Sequence, residues 1–150
     1  MRVIEDFISE ELVKKIDSII HSNIGDYKWS TNLFWKRGVV ENSNFFVTYP
    51  LHKHKEIYDE LKDSICSIVD PSLSCEEFLF NYTIFTSGAY IPWHDDGSTF
   101  FAATIYLNEN WNSEDGGLLL YKREDDEIVA IVPKYRRIVV NNLRCEHHVT

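Results

Sequence analysis

Apolar residues fall at helical spacing twice in the first half of the chain and at strand spacing through most of the second. Ser9 is a good helix N-cap. Glu10 and Glu11 stand where a helix dipole favours negative charge, and Leu12, Ile16, Ile19 and Ile20 make one apolar stripe, so a helix is predicted from Glu10 onward. A second helix is predicted over 53–69, with Ile57, Leu61, Ile65 and Ile68 on its buried face and Pro71 just past its end. Between them, Tyr27 to Tyr49 is aromatic and rich in β-formers. From Glu77 the pattern changes to short strands, predicted at Phe78–Phe85, Tyr90–His94, Thr99–Leu107, Leu118–Lys122, Glu127–Val132 and Arg137–Asn141, with a last one opening near His147. Gly88, Gly97, Asn108–Asn112, Asp115-Gly116-Gly117 and Pro133 supply the breaks. Helices followed by many short strands predict an α+β fold, a β-sandwich or jelly roll backed by N-terminal helices. With no repeat, low-complexity tract or linker, the expectation is one domain over 1–150, with a helical and aromatic front part to about 76 and a strand-rich core beyond it.

Composition sharpens this picture. A chain of 150 residues with four Trp, eight Tyr and nine Phe has the apolar payload for one packed core and is not disordered. A net charge of −9 repels phosphate backbones, which argues against nucleic acid as a partner. No apolar run is long enough to span a bilayer, and the opening residues lack the layout of a signal peptide. Cys66, Cys75 and Cys145 form an odd set without CxxC spacing, so the expected setting is a reducing cytoplasm, away from membranes. Oligomeric state does not follow from the sequence.

Two His-x-acid triplets occur, His54-Lys55-Glu56 and His94-Asp95-Asp96, and about one is expected by chance in a chain of this composition. The first falls in the predicted second helix, where residues two apart point about 200° away from each other and cannot share an ion. His52 and Glu56, four apart, are explained by an exposed polar face. The second triplet sits at a predicted strand end, where alternate side chains share a face, so that His94 and Asp96 can look toward one centre. A further ligand from a distant strand, such as His147, would complete a facial set of two histidines and one carboxylate, which leaves open metal positions. The spacing alone fits ordinary surface residues equally well.

The wider text is more specific. Phe78 to Thr150 resembles the core of an Fe(II)- and 2-oxoglutarate-dependent dioxygenase of the prolyl 4-hydroxylase type, and is similar to the oxygen-sensing prolyl hydroxylases and their microbial relatives. The residues that carry the resemblance are Gly88-Ala-Tyr-Ile-Pro-Trp-His94-Asp-Asp96, Ile105-Tyr-Leu-Asn108 with Trp111, Asp115-Gly-Gly117-Leu-Leu-Leu-Tyr121, Ile131-Val-Pro-Lys-Tyr-Arg-Arg-Ile138 and His147-His-Val149. Val3 to Leu12 also resembles the usual opening of such domains. The resemblance implies a double-stranded β-helix (a cupin-like jelly roll) and a reaction that consumes 2-oxoglutarate and O2. It hydroxylates a C–H bond, expected to be that of a peptidyl proline, and releases succinate and CO2, with ascorbate as an accessory. It implies that His94, Asp96 and His147 bind iron, His147 rather than His148 because the family writes His-x-Val. It also implies that Tyr106 hydrogen-bonds the far carboxylate of the cosubstrate. Trp93, beside the first ligand, and Trp29 and Trp35 in the aromatic segment, together with the loop 97–99, are expected to form the groove for a peptide or protein substrate.

Two departures from the family pattern stand out. A tyrosine usually precedes the glycine turn before His-x-Asp, whereas this chain has Phe85-Thr-Ser-Gly88, so Tyr82 or Tyr90 would have to supply that hydroxyl. A base usually follows the distal histidine by about one strand and pairs with the cosubstrate carboxylate. Here only three residues follow His147. The expectation is that the last strand of the jelly roll and its base lie beyond Thr150; Arg137, Arg136, Lys122 and Arg144 are the internal alternatives, of which Arg137 is expected to bind the cosubstrate. Trp111, Gly116 and Gly117 read as packing and turn residues. Two other functions compete with an oxygenase: a non-catalytic jelly roll that binds a peptide or partner, and a hydrolase in which Cys145 joins His94, Asp96 and His147 around zinc.

Overall fold

In the computed structural model, residues 1–25, 30–31, 46–69, 77–96, 101–141 and 145–150 are described, the side chains of residues 30, 31 and 46 excepted. The chain divides into two compact units. The described residues of one lie within Ile8–Asn32 and Phe46–Ile84; those of the other are in Met1–Phe7 and Phe85–Thr150.

The first of these holds the two helices and a three-stranded sheet. Helix α1 runs Glu10–Asn23, and the Ser9 hydroxyl accepts from the Leu12 N–H at 3.0 Å, as an N-cap should. Its buried face is Leu12, Val13, Ile16 and Ile20; Ile19 is only half-buried. Strands β2 (Ser30–Thr31), β3 (Phe46–Pro50) and β4 (Asn81–Phe85) lie side by side in that order. A 3₁₀ turn at Leu51–Lys53 leads into helix α2 (Lys55–Ile68), which buries Ile57, Leu61, Ile65 and Cys66. The helix therefore starts two residues later than its apolar pattern predicts, because the Tyr49 hydroxyl meets His54 Nε2 at 3.0 Å and holds His54 at the N-cap. His54 is thus outside the helix and engaged, and His52 Nδ1 donates to the Phe80 carbonyl. Neither histidine is arranged with Glu56 around an ion.

Besides a 3₁₀ turn at Ser113–Asp115, the regular structure described in the second unit is all strand. One sheet has the order β1 (Arg2–Ile4), β9 (Ile138–Asn141), β6 (Ala102–Ile105); the other has β5 (Ile91–His94), β10 (His147–Val149), β7 (Leu119–Lys122), β8 (Ile128–Ile131). The pairings within both are antiparallel. All four residues of β9 are buried, as expected of a central strand with an unbroken Ile-Val-Val run. Tyr106, Leu119, Ile131 and Val139 form a core that draws on both sheets, with Met1, Tyr121 and Val149 packed against it. The end of β1 is fastened by the Arg137 guanidinium, which grips Glu5 Oε1 at 2.6 and 3.0 Å. Gly116 and Gly117 take φ of 68° and 77°, and the Gly117 N–H donates to the Thr150 carbonyl, so the Gly-Gly turn fixes the end of β10. This arrangement is the α+β jelly-roll class that the sequence predicts, with shorter strands. Phe78 and Phe80, expected at the start of β4, instead stack on each other, with Tyr58 edge-on to Phe80. Among the described residues no helix is long and apolar enough to cross a membrane.

Ile138 is fully buried on the central strand of the three-stranded sheet, whereas Val3 on β1, which pairs with Val139, is 42% exposed. Ile138→Ala should cost about 2–5 kcal/mol in urea unfolding, and Val3→Ala roughly 1 kcal/mol or less. Equal costs would contradict the assignment of β9 as the core strand.

Candidate metal centre

The site begins with a strand pairing. In the β5–β10 ladder His94 lies directly opposite His147, so their side chains leave the sheet on the same face, and their ring centroids are 4.1 Å apart. Both strands end or begin at these residues, which puts the pair at the rim of the sheet. Asp96 follows two residues after β5 ends, and its Oδ1 comes to 3.9 Å from His94 Nε2 and 3.8 Å from His147 Nε2. One ligand atom from each of the three lies within 4.8 Å of the others.

Hydrogen bonds decide which atoms face the centre. His94 Nδ1 is 2.7 Å from the Pro92 carbonyl and His147 Nδ1 is 3.0 Å from the Cys145 carbonyl. A carbonyl only accepts, so each Nδ1 carries the proton and each Nε2 presents its lone pair inward. Asn141 Nδ2 donates to Asp96 Oδ2 at 3.1 Å, which turns Oδ1 toward the imidazoles. Burial lowers the His94 pKa, with the nearby His147 adding to it, which favours the neutral ring that a metal requires.

This donor set suits an ion such as ferrous iron or zinc. Ligand atoms at about 2.1 Å from one ion stand at most about 4.2 Å apart, and both separations to Asp96 Oδ1 fall inside that limit. They are also too long for hydrogen bonds, so the three groups do not satisfy one another. Beside them lies a small open pocket, lined by Asp96, His147, Ala102, Thr104, Leu119 and Asn141.

The other expected site residues are placed variously. Tyr106 is in the apolar core with Leu119 and Val139. Arg137 is taken up by Glu5 and the Val132 carbonyl, and Arg136 by Asp6. Lys122 pairs with Glu146 and also lies over the Trp93 ring. Trp93 adjoins His94 on β5 and so stands on the opposite face of that strand, tilted against His148 with Tyr90 also alongside. Tyr82 is in the helical unit, half-buried. Trp29, Trp35, Arg144 and the loop 97–99 lie outside the described residues. Cys145 is not among the converging ligand atoms, and what it contributes is its backbone carbonyl, so the four-ligand zinc site expected as an alternative does not form. Trp111 donates to the Gly116 carbonyl, a structural role.

Sequence reasoning missed Asn141. The available signal is a polar residue closing the apolar run Ile138-Val139-Val140, where a buried amide needs partners. Strand alternation does not place Asp96: β5 stops at His94, and the carboxylate is held by Asn141.

Residues 79–150 match the family model of the 2OG-Fe(II) oxygenase superfamily. Among solved structures, a Pseudomonas putida prolyl-4-hydroxylase aligns over 99% of this chain and 84% of its own, with a TM-score of 0.76 and 19% identity. A prolyl hydroxylase from Trichoplax adhaerens, solved in complex with a hypoxia inducible factor oxygen degradation domain peptide fragment, aligns over 99% of this chain and 76% of its own, with a TM-score of 0.73 and 19% identity. At that identity the likeness establishes the jelly-roll fold. No curated protein matches this sequence.

Burial pushes the Tyr106 hydroxyl from its ordinary value near 10 up to about 12, against a small opposing pull from Arg137. The folded chain then keeps this proton between pH 10 and 12 while the unfolded chain gives it up, so this contribution to stability is intact below pH 10 and disappears as pH rises toward 12. Tyr106→Phe should therefore lose less stability than the wild type between pH 9 and about pH 11 in urea melts. Parallel losses would contradict the burial of this hydroxyl.

Proposed function

We propose, from the premise that residues 79–150 are a 2OG-Fe(II) oxygenase domain, that His94, Asp96 and His147 hold the iron and that the substrate is a peptidyl proline. The observation that carries the reading is the convergence of two Nε2 lone pairs and one carboxylate oxygen, each set by a hydrogen bond on its far side. Iron, 2-oxoglutarate and O2 are the reactants of this superfamily. Bound together they supply the oxidation, in which one oxygen atom enters succinate as 2-oxoglutarate loses CO2 and the other enters the substrate C–H bond as a hydroxyl.

The residues of this chain do the rest. Two imidazoles and one carboxylate would hold a metal by three atoms and leave positions for small ligands. The Pro92 and Cys145 carbonyls hold the Nδ1 side of both rings, so Nε2 is the atom that each ring would offer to an ion. Side-chain exposures of 12%, 18% and 9% for His94, Asp96 and His147 keep most water away from the centre. Leu119 and Val139 line the same pocket and add apolar wall.

Support for a prolyl substrate comes from the two structural neighbours, one named as a prolyl-4-hydroxylase and the other holding a peptide. Ascorbate as an accessory reductant and a cytoplasmic setting belong to the same reading, the first supported by the family resemblance and the second by the odd set of three cysteines.

His94→Ala and Asp96→Ala should each abolish iron-dependent succinate formation from 2-oxoglutarate while leaving the far-ultraviolet circular dichroism unchanged. His148→Ala should do far less than His147→Ala, because His148 faces Trp93 on the other side of the strand. Retained turnover in either of the first two variants, or the reverse order in the second pair, would overturn the ligand assignment. A proline-containing peptide should raise succinate formation and gain one oxygen atom by mass spectrometry, and a peptide without proline should do neither. The same response to both peptides would rule out proline as the target.

A further inference from the structure

The Asn141 side chain touches more of the metal centre than any expected site residue that is not itself a ligand. It is 6% exposed at the end of the central strand β9. Its Nδ2 lies 3.1 Å from Asp96 Oδ2, 3.3 Å from the Cys145 carbonyl and 3.4 Å from His147 Nδ1, and its Oδ1 accepts from the Cys145 N–H at 3.1 Å. An amide nitrogen has two protons, so not all three contacts of Nδ2 can be hydrogen bonds. The His147 contact is the one to set aside: its Nδ1 proton already points to the Cys145 carbonyl at 3.0 Å, and two donors repel. The two amide protons then go to Asp96 and to Cys145. The Cys145 carbonyl in turn accepts from both Asn141 and His147, which uses both of its lone pairs.

We propose that Asn141 is a positioning residue for two of the three metal ligands, holding the Asp96 carboxylate directly and the His147 ring through the Cys145 backbone. The inference rests on the oxygenase reading and deepens it, since Asn141 acts on the iron only through these ligands. His94 is outside its reach, because that ring is fixed by its own strand through Pro92. Asn141 thus joins the two sheets of the unit at the point where the ligands meet: its backbone belongs to the β1–β9–β6 sheet, while the His147 it orders belongs to the β5–β10–β7–β8 sheet. Loss of the amide should loosen Asp96 and His147 and leave His94 as it is. That selectivity distinguishes positioning from a general structural role.

The test uses the whole chain with Co(II) alone as the probe, read by its visible absorption. Asn141→Leu keeps the volume and removes every hydrogen bond; Asn141→Thr keeps a strand-forming shape and a hydroxyl that can reach one acceptor but not both. Co(II) affinity should fall ten- to a hundredfold in the leucine variant and about tenfold in the threonine variant, the range typical of lost outer partners. In the metal-free protein, histidine ¹H–¹⁵N spectra should show His147 losing its single Nδ1–H form in both variants while His94 keeps it. Should the leucine variant not fold, the threonine variant decides both measurements. Affinity within twofold of wild type in a folded variant, or equal changes at both histidines, would overturn the role of Asn141 and leave the oxygenase reading standing. No Co(II) binding by the wild type would overturn that reading and this inference with it.

Discussion

The alignment of His94 opposite His147 in the β5–β10 ladder is the constraint on which the site depends. A one-residue slip in either strand would send one imidazole to the other face of the sheet and bring Trp93 or His148 to the centre. The register is therefore fixed from several directions. β10 is held on its far side by β7, through pairs from His147–Tyr121 to Val149–Leu119. The Gly-Gly turn ties Thr150 back to Gly117 and Leu118, which stops the strand from sliding along its axis.

Behind that pair, the second sheet supplies what the first cannot. Strand β9 is apolar until its last residue, and there the chain places an amide between a carboxylate and a backbone carbonyl. Burying three ligating side chains costs free energy unless their polar atoms find partners. The structure meets this by satisfying every outer atom: Nδ1 of both rings and Oδ2 of Asp96 each have a protein partner, and only the atoms suited to a metal point inward. Local strand geometry, the core between the sheets and the chemistry of the centre are thus successive consequences of one pairing.

Much of this was legible in the sequence, for identifiable reasons. The helices announce themselves by Ser9 and by stripes at 3.6 spacing, and the strand order follows from short apolar runs cut by glycine and asparagine. The spacing of His94 and Asp96 offered them as one candidate among ordinary surface residues, and only the family text around them and His147 set the three apart. The edges of elements were less legible because tertiary partners set them: the hydroxyl of Tyr49 holds His54 out of α2, and aromatic stacking keeps Phe78 to Phe80 out of β4. Expectations for Arg137 and Trp93 rested on residue type, whereas the structure depends on which face each occupies and which carboxylate lies near. A guanidinium beside Glu5 and an indole across the strand from the ligands are facts of packing that no motif encodes. Asn141 was harder to read, since one of its two acceptors, the Cys145 carbonyl, is a backbone atom that no motif marks, and a polar end to an apolar run was its one sign.

The most direct test of the central claim is the visible absorption of this chain with Fe(II) under anaerobic conditions, before and after 2-oxoglutarate is added. A three-ligand centre that leaves room for a chelating cosubstrate predicts a charge-transfer band that appears only when both are present and vanishes in Asp96→Ala. A folded wild-type protein that shows no band, or a band that survives in Asp96→Ala, would contradict an iron centre built from His94, Asp96 and His147.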